Sequence, residues 1–397
     1  MSEWVGWLRE GRWLDDRRCT AVLVMLSIAN LAVLAVLIGS SHDGVDRNGE
    51  LLGTDFLSFW TTGRMLHAGS DPYSLAAHIS AQRAFHAAAD GFTGFFYPPL
   101  FLPVCWLLGL FGYFASLAIW LASTGSGLWL VARTWGRKLA GYGPSWLAVL
   151  AFPPALICVT HGQTAFLASL LLGLGTLLVG TQPWLAGILL GLAAFKPQLG
   201  LLVPVVLLAS RQYRVVGGAC LSVFVAALVV SVWWGADVWQ RWLAIGQEAS
   251  AALFGGLVGF AKFQSLYAGL RLIGAPHDLS IAAQLLLSLI IAAWLAKLAW
   301  RKGWSLDLGA AMLTGALLAT PFVLDYDLVL LAFPLILLAS VPARPWEKTV
   351  AAMAFIMPQF ARPLGELIGV PIAPPILLAL FIVLCRRVEA QPAVAPA

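Results

Sequence analysis

The chain has 397 residues, of which 60% are hydrophobic and 11% charged, with 18 Trp and 21 Phe. A soluble domain is about a quarter charged, so this composition excludes that class and points to an integral membrane protein. The net charge of +5 sits in short basic clusters between apolar runs, a topology signal rather than a surface for nucleic acid.

Residues 1–19 carry Arg9, Arg12, Arg17 and Arg18 directly before the first apolar run, Thr20 to Ser40. That order predicts a cytoplasmic N-terminal segment and an uncleaved signal anchor, since no A-x-A-like site follows. The polar stretch 41–97 reads as an exported loop, with His42, His67, His78 and His86 and the carboxylates Asp43, Asp46, Glu50, Asp55, Asp71 and Asp90. Within it, Phe56, Trp60 and Gly63 share one helical face, with Thr54 as the expected N-cap. The reading is an interfacial helix on the membrane surface. "GSDPYS" is a turn, and a second helix is expected from Leu75 to about Ala88.

Apolar runs resume at 95–111 and continue at 113–134, 144–160, 164–180, 183–195, 198–210 and 215–235. A second exported loop, 236–277, precedes runs at 279–300, 306–323, 326–341, 348–365 and 371–386. The expectation is an all-α, polytopic membrane bundle over 20–386 with about 12 transmembrane helices. A disordered cytoplasmic tail, 387–397, follows. The five cysteines lie in or beside apolar runs without C-x-x-C spacing and read as packing residues.

Basic clusters follow several runs: Arg133, Arg137 and Lys138; Arg211 and Arg214; Arg301 and Lys302; Arg344 and Lys348; Arg386 and Arg387. From 144 onward all of them reach the cytoplasm if "THGQTA", "FKPQ", "PFVLDYD" and "RPLGE" face the other side. Residues 98–134 look like two short helices, whereas the charge rule needs an odd number of crossings there. Either one piece is re-entrant or the cluster at Arg133 breaks the rule.

The outer turns hold the unusual polar residues, and polar groups beside spans mark sites by default. Asp55 and Arg64 come from the long loop, His161, Gln163, Lys196, Gln198, Asp325 and Asp327 from the turns, with Arg362 and Glu366 beyond. One outer cavity roofed by the loop would collect them. Taken singly, each has an ordinary reading. Asp55 is then a solvated loop carboxylate, Lys196 a snorkelling lysine, and His161 and Gln163 helix caps. Asp325 and Asp327 become a turn, Arg64 and Lys262 headgroup contacts, and Tyr97 an aromatic anchor. No phosphate loop, G-x-G-x-x-G, H-E-x-x-H or G-x-S-x-G motif is present, which argues against a nucleotide-driven pump. The loop histidines lack ligand spacing, so neither a metal nor a cofactor is implied.

Five segments occur in a telling order: "DFLSFWTTGRMLHAGSDPYS", "FFYPPLFLPV", "HGQTAFLASLLLG", "AGILLGLAAFKPQLGLLVPVVLLASRQYR" and "ATPFVLDYDLVLLAFP". Together, over residues 20–345, they resemble glycosyltransferase family 87. This is a GT-C group of membrane enzymes that includes polyprenol-phosphate-mannose-dependent α-mannosyltransferases. The resemblance implies a GT-C fold in a bacterial inner membrane, with the site facing the periplasm. It implies transfer of a hexose, mannose favoured, from a polyprenyl-phosphate sugar to an envelope lipid or glycan. The family carries an acidic residue after the first span, and Asp55 matches it as general base for an inverting displacement. The leaving phosphate then needs a cation, for which Lys196 is the first candidate and Arg64 and Lys262 are reserves. His161, Gln163, Gln198, Asp325, Asp327 and Tyr97 would surround the sugar or acceptor. Two departures stand out: relatives show G-Q-x-N where this chain has Gly162-Gln163-Thr164-Ala165, and some place a histidine near 321–327. The alternative is a transporter or flippase of lipid-linked sugars, whose mark would be an inverted repeat with paired broken helices; none is visible. A polyprenyl-diphosphate polymerase or ligase would carry a basic exported loop, and this one is acidic and His-rich.

Overall fold

Proline and glycine decide where each apolar run stops being one helix. The computed structural model describes residues 3–47, 49–87, 94–141 and 143–392. Among these the chain forms twenty α-helices and no strand, with extended pairing confined to isolated bridges such as Phe263–Leu324. Helices α1 (Glu3–Glu10) and α2 (Asp16–Gly39) precede α3 (Phe56–His67) and α4 (Leu75–Phe85) in the polar stretch. The short α5 (Leu102–Leu108) and the long α6 (Tyr113–Ala140) follow. Pro153 splits the next run into α7 (Trp146–Ala151) and α8 (Pro153–His161), ahead of α9 (Ala165–Leu178) and α10 (Pro183–Leu192). Pro197 and Pro204 lie at the starts of α11 (Pro197–Gly200) and α12 (Val203–Ala209). Then come α13 (Tyr213–Trp234), α14 (Val238–Phe254), α15 (Leu266–Leu272) and α16 (His277–Lys302). The chain closes with α17 (Leu306–Leu318), α18 (Ala332–Ser340), α19 (Glu347–Ile368) and α20 (Ala373–Glu389).

Four helices, α2, α6, α13 and α16, are long and apolar enough to cross a membrane by themselves. The other apolar runs form shorter helices or, in α19, a helix carrying Pro358 and Pro363. Residues 98–134 form one short and one long helix rather than two short ones. Tyr113, at the start of α6, donates to the Leu52 and Gly53 carbonyls, both at 2.8 Å. At its other end Lys138 donates to the Leu177 carbonyl at 3.3 Å, where α9 finishes. α6 therefore traverses the bundle once, while α5 stays at one end against α3. The basic clusters gather at the far end. Arg9, Arg344 and Arg386 line one cleft there, and Arg211 and Arg301 line another.

Close helix contacts rest on small residues, as in membrane bundles generally. α10 and α13 meet where Gly187 faces the Val215 carbonyl and Gly191 faces Ser222. Helix α3 departs from the expected surface position. Phe56, Leu57, Ser58, Phe59, Thr61, Thr62, Gly63 and Met65 are all buried, on more than one face. Gly63 explains why, since its bare Cα admits the α5 backbone and a Cβ there would run into the Cys105 carbonyl oxygen. The N-cap position belongs to Asp55 rather than Thr54, and its side chain makes no capping bond. Helix α4 ends at Phe85, while the expected end at Ala88, and Asp90 with it, lie outside the described residues. Helix α20 runs through Arg387 to Glu389, and residues 393–397 of the expected tail also lie outside them.

The loop histidines are used one by one. His78, 1% exposed, lies 3.1 Å from the Thr62 hydroxyl through Nε2 and takes the Gln82 amide at Nδ1, 2.7 Å away. A ring that accepts at Nδ1 is neutral. Burial pushes its pKa down from 6.5 to about 4, against an opposing contribution from the Ser58 backbone.

Two outcomes follow from this packing. Gly63→Ala should cost about 1–3 kcal/mol through overpacking, read as a lower melting temperature in detergent; unchanged melting would show that α3 and α5 are not so close. For His78 the unfolded state binds the extra proton between pH 6.5 and about 4. Stability is thus complete above pH 6.5 and declines as pH falls toward 4, by up to about 3 kcal/mol. Denaturant melts across that range should show the decline in the wild type and a weaker one in His78→Gln; equal slopes would assign it to other groups.

Candidate active site

The site is built on the turn between α8 and α9. Gly162 ends α8 with a φ of 65°, and a Cβ there would sit 2.6 Å from that of Phe56, so the start of α3 lies directly on this turn. Two backbone bonds stitch the loop down: Gly53 N–H donates to the Thr160 carbonyl and Asp55 N–H to the His161 carbonyl, each at 3.2 Å. Asp55 is half-buried, and its Oδ2 accepts the Gln163 amide at 2.6 Å. The Gln163 carbonyl oxygen in turn accepts from Thr164 N–H at 3.1 Å and from the Tyr97 hydroxyl at 3.4 Å. Those two donors set the orientation of the amide and aim its NH2 group at Asp55.

The polar chain continues inward. The Tyr97 and Thr164 hydroxyls lie 2.9 Å apart, with the Tyr97 ring between Phe59, Phe101 and Phe195. Lys196 Nζ donates to the Thr164 hydroxyl at 3.4 Å and to Asp327 Oδ1 at 2.5 Å, and lies 4.8 Å from the Tyr326 ring centre. Lys196 occupies the break between α10 and α11, at φ −126° and ψ 69°, outside the helical region that a following proline disfavours. Its side chain is 2% exposed and that of Asp327 0%. Lys196 is thus an ion-paired interior lysine, not a snorkelling one. Asp327 Oδ2 also accepts Leu324 N–H at 3.1 Å, which anchors the 3-10 segment Asp325–Leu331.

Asp325 opens that segment. Its Oδ1 accepts Tyr326 N–H at 2.9 Å, and its buried Oδ2 lies 3.7 Å from Arg362 with no hydrogen bond. Arg362 also pairs with Glu366 at 2.8 Å. Lys262 and His161 are further neighbours of Asp325, and the His161 Nδ1 sits 3.0 Å from both the Ile157 carbonyl and the Thr160 hydroxyl. Lys262 makes no ion pair among the described residues.

The fold thus brings together Asp55, Tyr97, His161, Gln163, Lys196, Lys262, Asp325 and Asp327. Gln198 stands half-buried two residues past Lys196. Arg64 lies apart: it is exposed, stacks over Trp60 at 5.9 Å and reaches the Gly109 carbonyl at 3.5 Å. The cluster is packed rather than open, with Gln163, Lys196, Asp325 and Asp327 each at most 5% exposed and Asp55 at its margin. Sequence reasoning does not single out Thr164 or Tyr326. Both sit beside flagged residues, and that adjacency was the available signal.

A sequence model of glycosyltransferase family 87 matches residues 95–321, a span that holds Tyr97, Gln163, Thr164, Lys196 and Lys262. Asp55 precedes the matched span, and Asp325 and Asp327 follow it. No curated protein and no solved structure matches the chain.

Removing one partner of a buried pair strands the other charge. Lys196→Met should therefore cost about 3–5 kcal/mol, and the double variant Lys196→Met/Asp327→Leu should recover most of it. Denaturant melts in detergent decide, and a double variant no more stable than the single one would remove the pair from its structural role.

Proposed function

The chain belongs to glycosyltransferase family 87, and on that premise we propose that it moves a hexose, mannose favoured, from a polyprenyl-phosphate sugar to a lipid or glycan acceptor of the cell envelope. The observation that carries the reading is the presentation of Asp55. One carboxylate oxygen is held by Gln163 at 2.6 Å and the residue stands half-buried at the edge of the cluster, so the other oxygen is left to meet a substrate hydroxyl. A general base must come within hydrogen-bond reach of the proton it removes.

In this mechanism the acceptor oxygen attacks the anomeric carbon as its proton passes to Asp55. The bond from that carbon to the phosphate oxygen breaks, and polyprenyl phosphate leaves with one more negative charge. A single displacement inverts the centre, so a β-linked donor gives an α-linked product. The developing charge needs cations. Lys196 already neutralises Asp327, so its role is to hold Thr164 and Tyr326 in place behind the reacting groups. Lys262, without an ion-pair partner among the described residues, is the cation that meets the phosphate, while Arg362 is engaged by Glu366 and Asp325 and Arg64 stands too far outside the cluster. Gln198, His161 and Tyr97 line the sugar or acceptor side. In a bacterial inner membrane the cluster faces the periplasm, because the basic clusters occupy the opposite end. Translocation without chemistry has no observation in its favour.

The test uses purified enzyme in native lipid with a polyprenyl-phosphate-mannose donor. Asp55→Asn should lower turnover by about 10²–10⁴-fold, and Lys262→Ala should weaken donor use with a smaller effect on turnover. If Asp55→Asn keeps more than about a tenth of wild-type turnover, far above the loss expected on removing a general base, the base is another group.

A further inference from the structure

A second polar site lies at the opposite, basic end of the bundle, where α1 docks on the start of α19. Trp346 N–H donates to the Arg9 carbonyl at 2.6 Å, and the Thr349 hydroxyl donates to the Leu8 carbonyl at 2.7 Å. The Trp13 indole N–H donates to Thr349 Oγ1 at 2.9 Å. Trp346 adopts a left-handed φ of 74°, a conformation that a bulky side chain holds only when its surroundings over-determine it. The docking shapes a cleft of about 430 Å³, within the range of small-ligand sites, lined by Val5 and Trp346 together with Arg9, Arg344 and Arg386.

The charges in this cleft do not balance. Glu347, its one carboxylate, is buried and already paired with Arg387 at 2.7 Å, which also holds Asp307 at 2.9 Å. Arg9, Arg344 and Arg386 make no ion pair among the described residues. Three arginines lining one cleft without a counter-charge, one of them donating to the Arg386 carbonyl at 3.5 Å, offer a receptor for an anion, and their planar forks suit a phosphate. The helix beside the cleft argues for a membrane source. α1 exposes Trp4, at 73%, together with Trp7 and Leu8, the pattern of a helix lying at the interface. Only residues 11–15 separate it from the crossing helix α2. Basic pockets at this level hold lipid headgroups.

We propose that this cleft binds the phosphodiester headgroup of an anionic membrane lipid, apart from the reaction cluster. The full chain, purified in detergent, would be examined by native mass spectrometry with added phosphatidylglycerol, phosphatidylcholine or inorganic phosphate. Phosphatidylglycerol adducts should form, and each of Arg9→Gln, Arg344→Gln and Arg386→Gln should weaken them about fivefold. Phosphatidylcholine should not replace them, inorganic phosphate should not compete, and Arg133→Gln, a charge elsewhere at the same end, should leave them intact. The proposal fails if the three variants bind as the wild type does, or if Arg133→Gln weakens binding as much. It fails equally if phosphatidylcholine binds as well, or if inorganic phosphate displaces the lipid, which would mark a soluble-anion site. Because the three arginines are exposed, single variants should fold; a melting temperature checks each, and any one that matches the wild type decides by the same criteria.

Discussion

A lysine and an aspartate with almost no solvent exposure, in a chain this apolar, are tolerable only as a pair, and the pairing dictates which segments meet. Lys196 sits at a helix break and Asp327 in a 3-10 segment 131 residues later. Neither charge can be left alone in the interior without several kcal/mol of desolvation cost. Their union therefore locks the α10–α11 break to residues 325–331, and that single constraint carries the neighbours with it. Thr164 bonds Lys196, Tyr97 bonds Thr164, and Gln163 links both to Asp55. Asp325 and Tyr326 are placed because they precede Asp327 in the same segment.

Around this knot the bundle divides its electrostatics. One end holds the polar cluster contributed by the turns, while the other holds the clefts lined by Arg9, Arg344 and Arg386 and by Arg211 and Arg301. α6, running from the Leu52 and Gly53 carbonyls to the end of α9, keeps the two apart. Helix breaks at proline supply the irregular backbone that the polar end needs. Such backbone is tolerated at membrane depth only where protein buries it. Glycine does the converse work along the helix sides, and lets α10 and α13, or α3 and α5, approach to backbone contact.

Much of the fold is legible in the sequence because hydropathy and proline act locally. The order of apolar runs, the breaks at Pro153 and Pro197 and the segregation of basic clusters can all be read from neighbouring residues. What depends on distant partners cannot. "FKPQ" announces a lysine that must either snorkel to the headgroups or find an anion, yet nothing local chooses between these, or picks Asp327 over Asp325, Asp55 or a lipid phosphate. Phe56, Trp60 and Gly63 form an apolar stripe, which resembles a membrane-surface helix until the backbone of α5 fills the space beside Gly63. Asp55 shows the same limit: its side chain is withheld from capping α3 because Gln163, 108 residues away, claims it.

The two backbone bonds that tie Gly53 and Asp55 to the end of α8 separate the loop into parts with different freedoms. The carboxylate takes its position from α8, not from the rest of the stretch that runs on through α4 to Tyr97. Further along the stretch, Phe95 is fixed by other neighbours, the Tyr73 and Phe101 rings. The backbone that carries the carboxylate and the aromatic packing at Phe95 are thus fixed by separate contacts, so a change in one leaves the other's anchor in place.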